Sequence, residues 1–351
     1  MKPNPHEVPT FIHIHILRQR LEMNRSTASV LPQSVHESMT GELNNEFIAK
    51  YLQQDDVNEE VTKESKAARD APNRRKSEKA TSITSLLIKQ NLINRIGDIS
   101  EYSQIRKLSI PFNSMMKSGL QNLDQLPHLR HLSAYSCGLK HFEDLADNRR
   151  LEKLHLQQNC IKEIPFCMRQ LQKIRHLRLD RNRINQIEHM QGCTALRTLN
   201  LSSNCLESLD GVAGLQSLVE LKANNNNLTS LKALRALPSL REIHVDGNSL
   251  QNLDGIQHIP TLQVLYCNDN QISAFRIPQT YTHVGAVEKG VMKKSVSSSN
   301  TVSTSSASTI SNARTENTKY GLFNLEEIFM ANNQLTTLDG ADKLGKPYKI
   351  F

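Results

Sequence analysis

An apolar pattern recurs every 22 residues between positions 196 and 270 of the chain. Each unit has apolar residues at its first, fourth, sixth, eleventh and fourteenth positions, and an asparagine at its ninth. In the first of four successive units these residues are Leu196, Leu199, Leu201, Asn204, Leu206 and Leu209. The next three units begin at Leu218, Leu240 and Leu262. An internal repeat of this length indicates a solenoid, in which each unit buries its apolar face against its neighbours.

The positions within one unit predict its secondary structure. The first residues alternate between apolar and polar, which is typical of a short strand with one buried face. The asparagine follows the strand, where its amide can pair with backbone groups of neighbouring turns. The remaining leucines predict a helical or 3₁₀ arc behind the strand. We therefore predict an α/β solenoid that is curved, with short parallel strands on the concave side and arcs on the convex side.

The same template extends the solenoid in both directions. It predicts repeats 1–9 over residues 83–275, and repeat 10 with the start of an eleventh over residues 322–351. The ninth-position asparagines are predicted to form a structural ladder, and they are Asn91, Asn113, Asn159, Asn182, Asn204, Asn226, Asn248, Asn270 and Asn333. Cys137 takes the ladder position in the third repeat.

Two stretches do not follow the repeat. Residues 1–82 are predicted to be mostly disordered, with one conditional helix at about 40–53 that Thr40 would cap. Residues 276–321 are rich in Ser and Thr and predict a disordered insertion between two stacked repeats. At the other end, Ile350 takes an apolar position of the eleventh repeat, so the sequence is expected to stop inside a strand. Such an end indicates either a fragment of a longer protein or an edge covered by another chain.

The template L-x-x-L-x-L-x-x-N-x-L-x-x-L resembles the 22-residue class of leucine-rich repeat proteins. This class includes the leucine-rich regulatory subunit of protein phosphatase one and the leucine-rich light chain of axonemal dynein. The resemblance implies a non-enzymatic scaffold for protein–protein interaction, in phosphatase regulation or in cytoskeletal, ciliary or centrosomal assembly. The alternative that it implies is a ribonucleoprotein adaptor similar to the leucine-rich splicing protein.

Composition narrows the compartment and the partners. The 351 residues contain no run of 18 apolar residues and no convincing signal peptide, so neither a membrane span nor secretion is predicted. The six cysteines form no C-x-x-C pair, which favours reduced thiols in an intracellular, cytoplasmic protein, with the nucleus as the alternative. The formal net charge of +8 is diluted over the whole chain. We expect another protein as the partner, and neither RNA, a membrane nor a small-molecule substrate.

The sequence offers no catalytic motif. It has no G-x-x-x-x-G-K-[ST], no G-x-S-x-G and no H-E-x-x-H, so neither enzymatic activity nor a cofactor is predicted. His13 and His15 would share one face of a strand, but no further metal ligand follows them, and no metal site is predicted. The stretch from Lys162 to Phe166 matches a loose docking pattern for protein phosphatase one. Ile164 fills a core position of the repeat there, so we interpret the match as accidental.

Function in a solenoid of this kind is expected on the concave strand face. Its first half is predicted to be basic, and its second half combines glutamates with exposed aromatic residues, a composition that is typical of binding hot spots. The predicted partner-binding residues are His131, Tyr135, Lys153, His155, His176, Arg178, Asn200, Glu220, Lys222, Glu242, His244, Tyr266 and Phe329.

Overall fold

The computed structural model of the protein describes residues 41–53, 83–88, 93–275, 322, 324–337 and 349–350. Within them, one parallel sheet of eleven strands runs through the molecule. Its strands are β2 (Ser85–Leu87), β4 (Lys107–Ser109), β5 (His131–Ser133), β6 (Lys153–His155), β7 (His176–Arg178), β8 (Thr198–Asn200), β9 (Glu220–Lys222), β10 (Glu242–His244), β11 (Val264–Tyr266), β12 (Glu327–Phe329) and β13 (Lys349–Ile350). One strand per repeat, with β13 in the eleventh, confirms the predicted α/β leucine-rich repeat solenoid.

Short 3₁₀ helices form the convex side behind the sheet. They span Ser100–Tyr102, Leu123–Gln125, Glu143–Leu145, Phe166–Gln170, Met190–Gly192, Asp210–Val212, Lys232–Ala236 and Ile256–His258. The core lies between them and the sheet, and the repeat leucines fill it. Leu199, Leu201, Leu206 and Leu209, for example, are at most 1% exposed. The apolar positions of the repeat are therefore the positions that are buried in the core.

The side chains of the ladder asparagines form hydrogen bonds that join each repeat to the one before it. The Asn226 amide nitrogen donates to the carbonyl oxygens of Leu201 and Ala223, both at 3.1 Å, and its side-chain oxygen accepts the Leu206 N–H at 3.0 Å. The same contacts recur, one repeat apart, at seven further asparagines, which are Asn113, Asn159, Asn182, Asn204, Asn248, Asn270 and Asn333. Asn91 lies outside the described residues. The asparagines thus satisfy turn groups that would otherwise be buried without partners.

A helix covers the N-terminal end of the solenoid. Helix α1 (Asn45–Gln53) follows strand β1 (Glu42–Leu43), which pairs in parallel with β3 (Arg95–Ile96). Four apolar side chains of this segment are buried in the common core, and they are Leu43, Phe47, Ile48 and Tyr51. Among the described residues no helix combines the length and the apolar character that crossing a membrane requires.

The start of this helix differs from the sequence prediction. The Asn44 side-chain oxygen accepts the N–H of Phe47 at 2.8 Å, which is the hydrogen bond of an N-cap residue. The predicted cap at Thr40 is therefore wrong, and Thr40 itself lies outside the described residues. The helix begins five residues later because β1 uses the intervening backbone to pair with β3.

The sheet continues across the long insertion. Strands β11 and β12 are direct neighbours, with Leu265 paired to Ile328. The Asn333 amide donates to the Cys267 carbonyl at 3.0 Å, so the ladder also continues. Residues 276–321 lie outside the described residues, and the repeats on either side of them stack as ordinary neighbours.

Deleting residues 280–318 should leave the solenoid folded, with a free energy of unfolding equal to that of the parent chain or about 1 kcal/mol higher. The deletion leaves seven residues between Phe275 and Leu322, whereas the equivalent link in the preceding repeat, from Leu253 to Ile259, has five. The shortened link can therefore span the gap, and a shorter loop costs less entropy to close. Urea denaturation of both chains measures the difference, and a loss of stability above about 1 kcal/mol would contradict the argument.

Candidate partner-binding face

Side chains at the third, fifth and seventh positions of each repeat form three rows along one side of the sheet. The middle residue of each strand is buried and its two neighbours point the other way, as Glu242 and His244 do around the fully buried Ile243. Because the strands pair in register, equivalent residues lie side by side, with Glu242 between Glu220 and Val264. We refer to the surface made by these three rows as the concave face.

Three aromatic rings stack in the fifth row, at the C-terminal end of the concave face. His244 lies parallel to Tyr266, with ring centroids 4.4 Å apart and an angle of 7° between the planes. Tyr266 lies in the same way on Phe329, at 4.5 Å and 6°. These separations are close to the spacing of neighbouring strands, about 4.8 Å, so the register of the sheet produces the stack. Both faces of the Tyr266 ring are covered, and only its edge can meet a partner.

Glutamates occupy the third row beside this stack. Glu220 and Glu242 precede Val264 in the row, and Glu327 follows it. Each carboxylate contacts one base through Oε1, and the pairs are Glu220 with Lys222 at 2.5 Å, Glu242 with His244 at 2.7 Å and Glu327 with Lys349 at 3.3 Å. A carboxylate has two acceptor oxygens, and among the described residues the second oxygen of each glutamate accepts no hydrogen bond. The third row therefore has carboxylate oxygens that can accept hydrogen bonds from a partner.

The first half of the concave face is less basic than the sequence suggests. Burial is the main cause that lowers the pKa of His131, His155 and His176. The next cause is a neighbouring cation, Lys153 for His131 and His176, and Arg178 for His155. An imidazole with a pKa below the ordinary value of about 6.5 is neutral at pH 7. At pH 7 the positive charge of this half therefore comes mainly from its lysine and arginine side chains.

An ion pair fixes the arginine of this half. Arg178 donates to both carboxylate oxygens of Asp180, from Nε at 3.1 Å and from Nη2 at 3.2 Å. Asp180 is only 7% exposed, so its charge is compensated almost entirely within the protein. Nearby, His176 Nδ1 lies 3.0 Å from the Thr198 hydroxyl. Asp180 thus offsets the charge of Arg178, and Lys107 and Lys153 carry the remaining positive charge of this half.

The seventh row has a structural part that the sequence interpretation missed. The Asp246 N–H donates to the Asn224 side-chain oxygen at 2.9 Å, and Asp246 Oδ1 accepts both the N–H and the amide Nδ2 of Asn268, at 2.8 and 2.9 Å. Asn268 in turn accepts the N–H of Ala331 at 2.8 Å. These side chains brace the turns that follow the strands. Asn or Asp at successive steps of 22 residues is the signal that could have revealed this row.

One group of side chains in the described part of the chain has the composition of a metal site. The ligand atoms of Glu220, Glu242 and His244 lie within 4.8 Å of one another. The ammonium of Lys222 already contacts Glu220, and His244 directs Nε2 at Glu242. One oxygen of each carboxylate and Nε2 of His244 are thus already paired within the protein. Two neighbouring strands form the group, because Glu220 lies on β9 and both Glu242 and His244 lie on β10. His13 and His15 lie outside the described residues.

Four of the six cysteines are buried in the core, and they are Cys137, Cys167, Cys193 and Cys267. Burial raises the pKa of the Cys167 and Cys193 thiols to about 12, so both are protonated at neutral pH and are poor nucleophiles. Burial also raises the pKa of Cys267. No disulfide joins any of the six cysteines, all of which lie in the described part of the chain.

The possible docking segment from Lys162 to Phe166 is anchored in the solenoid. Ile164 is 1% exposed, which confirms its predicted core position, whereas Phe166 is 58% exposed. The guanidinium carbon of Arg169 lies 4.9 Å from the Phe166 ring centroid. Ile164 cannot enter a groove on a partner without leaving the core.

Solved structures share this fold. An internalin from Listeria monocytogenes is similar with a TM-score of 0.50 and 16% identity, over 82% of this chain and 92% of the internalin. A leucine-rich repeat protein from Leptospira interrogans also has a TM-score of 0.50 and 16% identity, over 74% and 64% of the two chains. These similarities show the leucine-rich repeat fold and do not extend to function.

A plant receptor provides a third comparison. The leucine-rich repeat ectodomain of the receptor kinase GASSHO1/SCHENGEN3 from Arabidopsis thaliana, solved in complex with CASPARIAN STRIP INTEGRITY FACTOR 2, has a TM-score of 0.52 and 19% identity. The similarity covers 76% of this chain and 29% of the ectodomain chain. No protein-family model and no curated protein matches the chain.

Proposed function

We propose that this protein is a non-enzymatic scaffold that binds a partner protein on its concave face. The observation that carries the proposal is the ring stack of His244, Tyr266 and Phe329 beside the glutamate row. Aromatic side chains are enriched among the residues that dominate protein interfaces. Stacking also fixes these rings before a partner arrives, so less side-chain entropy is lost on binding.

The charge distribution supports a partner bound in one orientation. The first half of the concave face carries Lys107 and Lys153, and the second half carries the glutamates. Opposite charges at the two ends of a binding face guide the approach of a partner and suppress the reversed orientation. The plant ectodomain that was solved with a bound factor is an example of the same fold holding a partner.

We place this scaffold inside the cell, in the cytoplasm, with cytoskeletal or ciliary association or the nucleus as alternatives. Six cysteines without a disulfide are compatible with a reducing compartment. Phosphatase regulation and cytoskeletal, ciliary or centrosomal assembly are the processes in which we expect the scaffold to act.

The geometry favours a protein partner over RNA. Binding to a phosphate backbone depends on several unpaired lysines and arginines. The three neutral histidines and the Arg178–Asp180 ion pair leave few such cations on the first half of the face. The ribonucleoprotein adaptor therefore has less support than the protein scaffold.

Site-specific cross-linking tests the proposed face. A photoreactive phenylalanine analogue placed at Asn200, on the concave face, should yield a discrete cross-linked protein in a lysate of the source cells. The same analogue at Glu163, which is exposed outside the concave face, is the matched control and should not yield this product. Equal cross-linking from both positions, or cross-linking from the control alone, would show that partners do not use the concave face.

A further inference from the structure

We infer that the C-terminal half of the concave face binds an extended partner segment with the pattern basic–x–apolar–x–basic. The inference rests on the proposed function and specifies the partner's chemistry. The surface that would hold this segment consists of Glu220, Glu242, Val264, Tyr266 and Glu327, and we call it the acidic–aromatic patch. All five residues are partly exposed.

The spacing of the patch sets the spacing of the segment. Its third-row residues follow the order acid, acid, valine, acid on four neighbouring strands. Neighbouring strands lie about 4.8 Å apart, so Glu220 and Glu327 are about 14 Å apart along the row. An extended segment advances about 3.3 Å per residue and points alternate side chains to one side. Its residues i and i+4 are thus about 13 Å apart, and i+2 lies between them.

The negative charge of the glutamates predicts basic residues at the two outer positions of the segment. Among the described residues, the second oxygen of each glutamate is an unused acceptor, and the internal bases Lys222 and Lys349 are 38% and 69% exposed. These flexible lysines can move aside when another cation arrives. Arginine fits better than lysine, because its planar guanidinium can donate two parallel hydrogen bonds to one carboxylate. One arginine would face the Glu220–Glu242 pair, and the other would face Glu327.

The ring stack predicts an apolar residue at the central position of the segment. A cation is attracted to the face of an aromatic ring, and both faces of Tyr266 are covered by His244 and Phe329. The ring edge carries the positive part of the ring quadrupole and therefore does not attract a cation. Val264 adds an apolar surface in the row next to it. The middle of the segment is consequently apolar, and its cations lie over the carboxylates.

Peptide binding to the full chain tests this inference. The probe is the blocked, fluorescent peptide Ser-Arg-Ser-Leu-Ser-Arg-Ser, measured by fluorescence anisotropy. The combined variant Glu242→Gln with Glu327→Gln should weaken its binding about tenfold, because each change removes one charge pair. The matched control combines Glu163→Gln with Glu207→Gln, which are exposed outside the concave face, and should bind like the parent chain. Urea denaturation of each variant verifies that the fold is intact.

Two further peptides test the pattern itself. Replacing both arginines by citrulline keeps the shape and removes the charge, and should also weaken binding about tenfold. A peptide with the two arginines placed next to each other keeps the composition. It should lose most of the affinity that the two spaced arginines contribute. Equal binding of the rearranged peptide, no effect of the patch variant, or no binding at all up to about 1 mM protein would overturn the inference.

The remaining outcomes separate this inference from the proposed function. If the patch is instead covered by a second copy of the chain, the parent sediments as a dimer that the patch variant dissociates, and the inference fails. If cross-linking from position 200 is unchanged in the patch variant, the concave face still binds the partner. The partner then does not bind through a basic segment on the acidic–aromatic patch, and the inference fails. A different result is that the peptide binds as expected while cross-linking from position 200 is no stronger than from position 163. In that case the cellular partner does not bind on the concave face, and the proposed function fails.

Discussion

Replacing Asn226 by alanine should lower the free energy of unfolding by about 3 kcal/mol or more. The Asn226 amide nitrogen lies within hydrogen-bond distance of three carbonyl oxygens, those of Leu201, Ala223 and Asn224, at 3.1, 3.1 and 3.2 Å. Its oxygen accepts the Leu206 N–H, and the residue is only 7% exposed. Each buried polar group left without a partner costs about 1–3 kcal/mol, and alanine leaves several in one place.

The neighbouring asparagine provides the control for this prediction. Asn227 is exposed, and its ladder contact is made by its backbone N–H, which donates to the Leu206 carbonyl at 2.8 Å. Asn227→Ala retains that bond and should change stability by less than about 0.5 kcal/mol. Urea denaturation of both variants gives the comparison. Similar losses in the two variants would mean that the ladder contributes little to stability.

The third repeat shows what a ladder position requires. Cys137 replaces asparagine there, and its thiol donates to the Ile110 carbonyl at 3.1 Å. The N–H of Met115 donates to the backbone carbonyl of Cys137 at 2.9 Å, so the backbone supplies an acceptor at this step. Asn226→Cys should therefore destabilise the chain less than Asn226→Ala.

Gly211→Ala should destabilise the chain by about 2–3 kcal/mol. A Cβ at this position would overlap the carbonyl oxygen of Ile187 and lie 2.6 Å from its carbonyl carbon. Both atoms belong to the backbone of the preceding repeat, so no side-chain rotation can remove the clash. The two turns would have to separate, and the leucines packed around them would lose contact.

Gly214, three residues later in the same arc, is the matched control. A Cβ there meets its nearest atom, the Gln191 Cα, at 3.9 Å, which is ordinary van der Waals contact. Gly214→Ala should be neutral, or should stabilise the chain by a few tenths of a kcal/mol, because alanine restricts the unfolded chain. Thermal or urea unfolding of the two variants separates the effects. Equal stabilities would show that the arcs of neighbouring repeats are not tightly packed at Gly211.

Much of the fold follows from the sequence because the repeat fixes register. The apolar template of about 22 residues places each strand beside the previous one, and the same rule places β12 after the insertion and pairs Ile350 with Ile328. The covering of the N-terminal end could not be predicted in this way. Leu43 and Phe47 belong to no repeat, and their burial depends on residues about 50 positions further along the chain.

The candidate site was predictable in position but not in chemistry. The template identifies which side chains share the concave face, and it places Tyr266 next to Phe329 despite the insertion. It cannot show that the rings are parallel. A count of charged residue types also cannot show that burial lowers the pKa of His155, or that Glu242 contacts His244 in its own strand. These properties depend on burial and side-chain geometry.

The direct pairing of β11 with β12 means that covalent continuity is not what holds the last repeats in place. Their attachment includes paired backbone, the Tyr266–Phe329 ring contact and the hydrogen bond from Asn333 to Cys267. A chain cut by a protease anywhere between positions 276 and 321 would therefore have two pieces that remain associated, and two separately expressed polypeptides divided there could reassemble. Genetic division of the protein, with a reporter attached to each piece, would make assembly of the concave face itself a measurable event in cells.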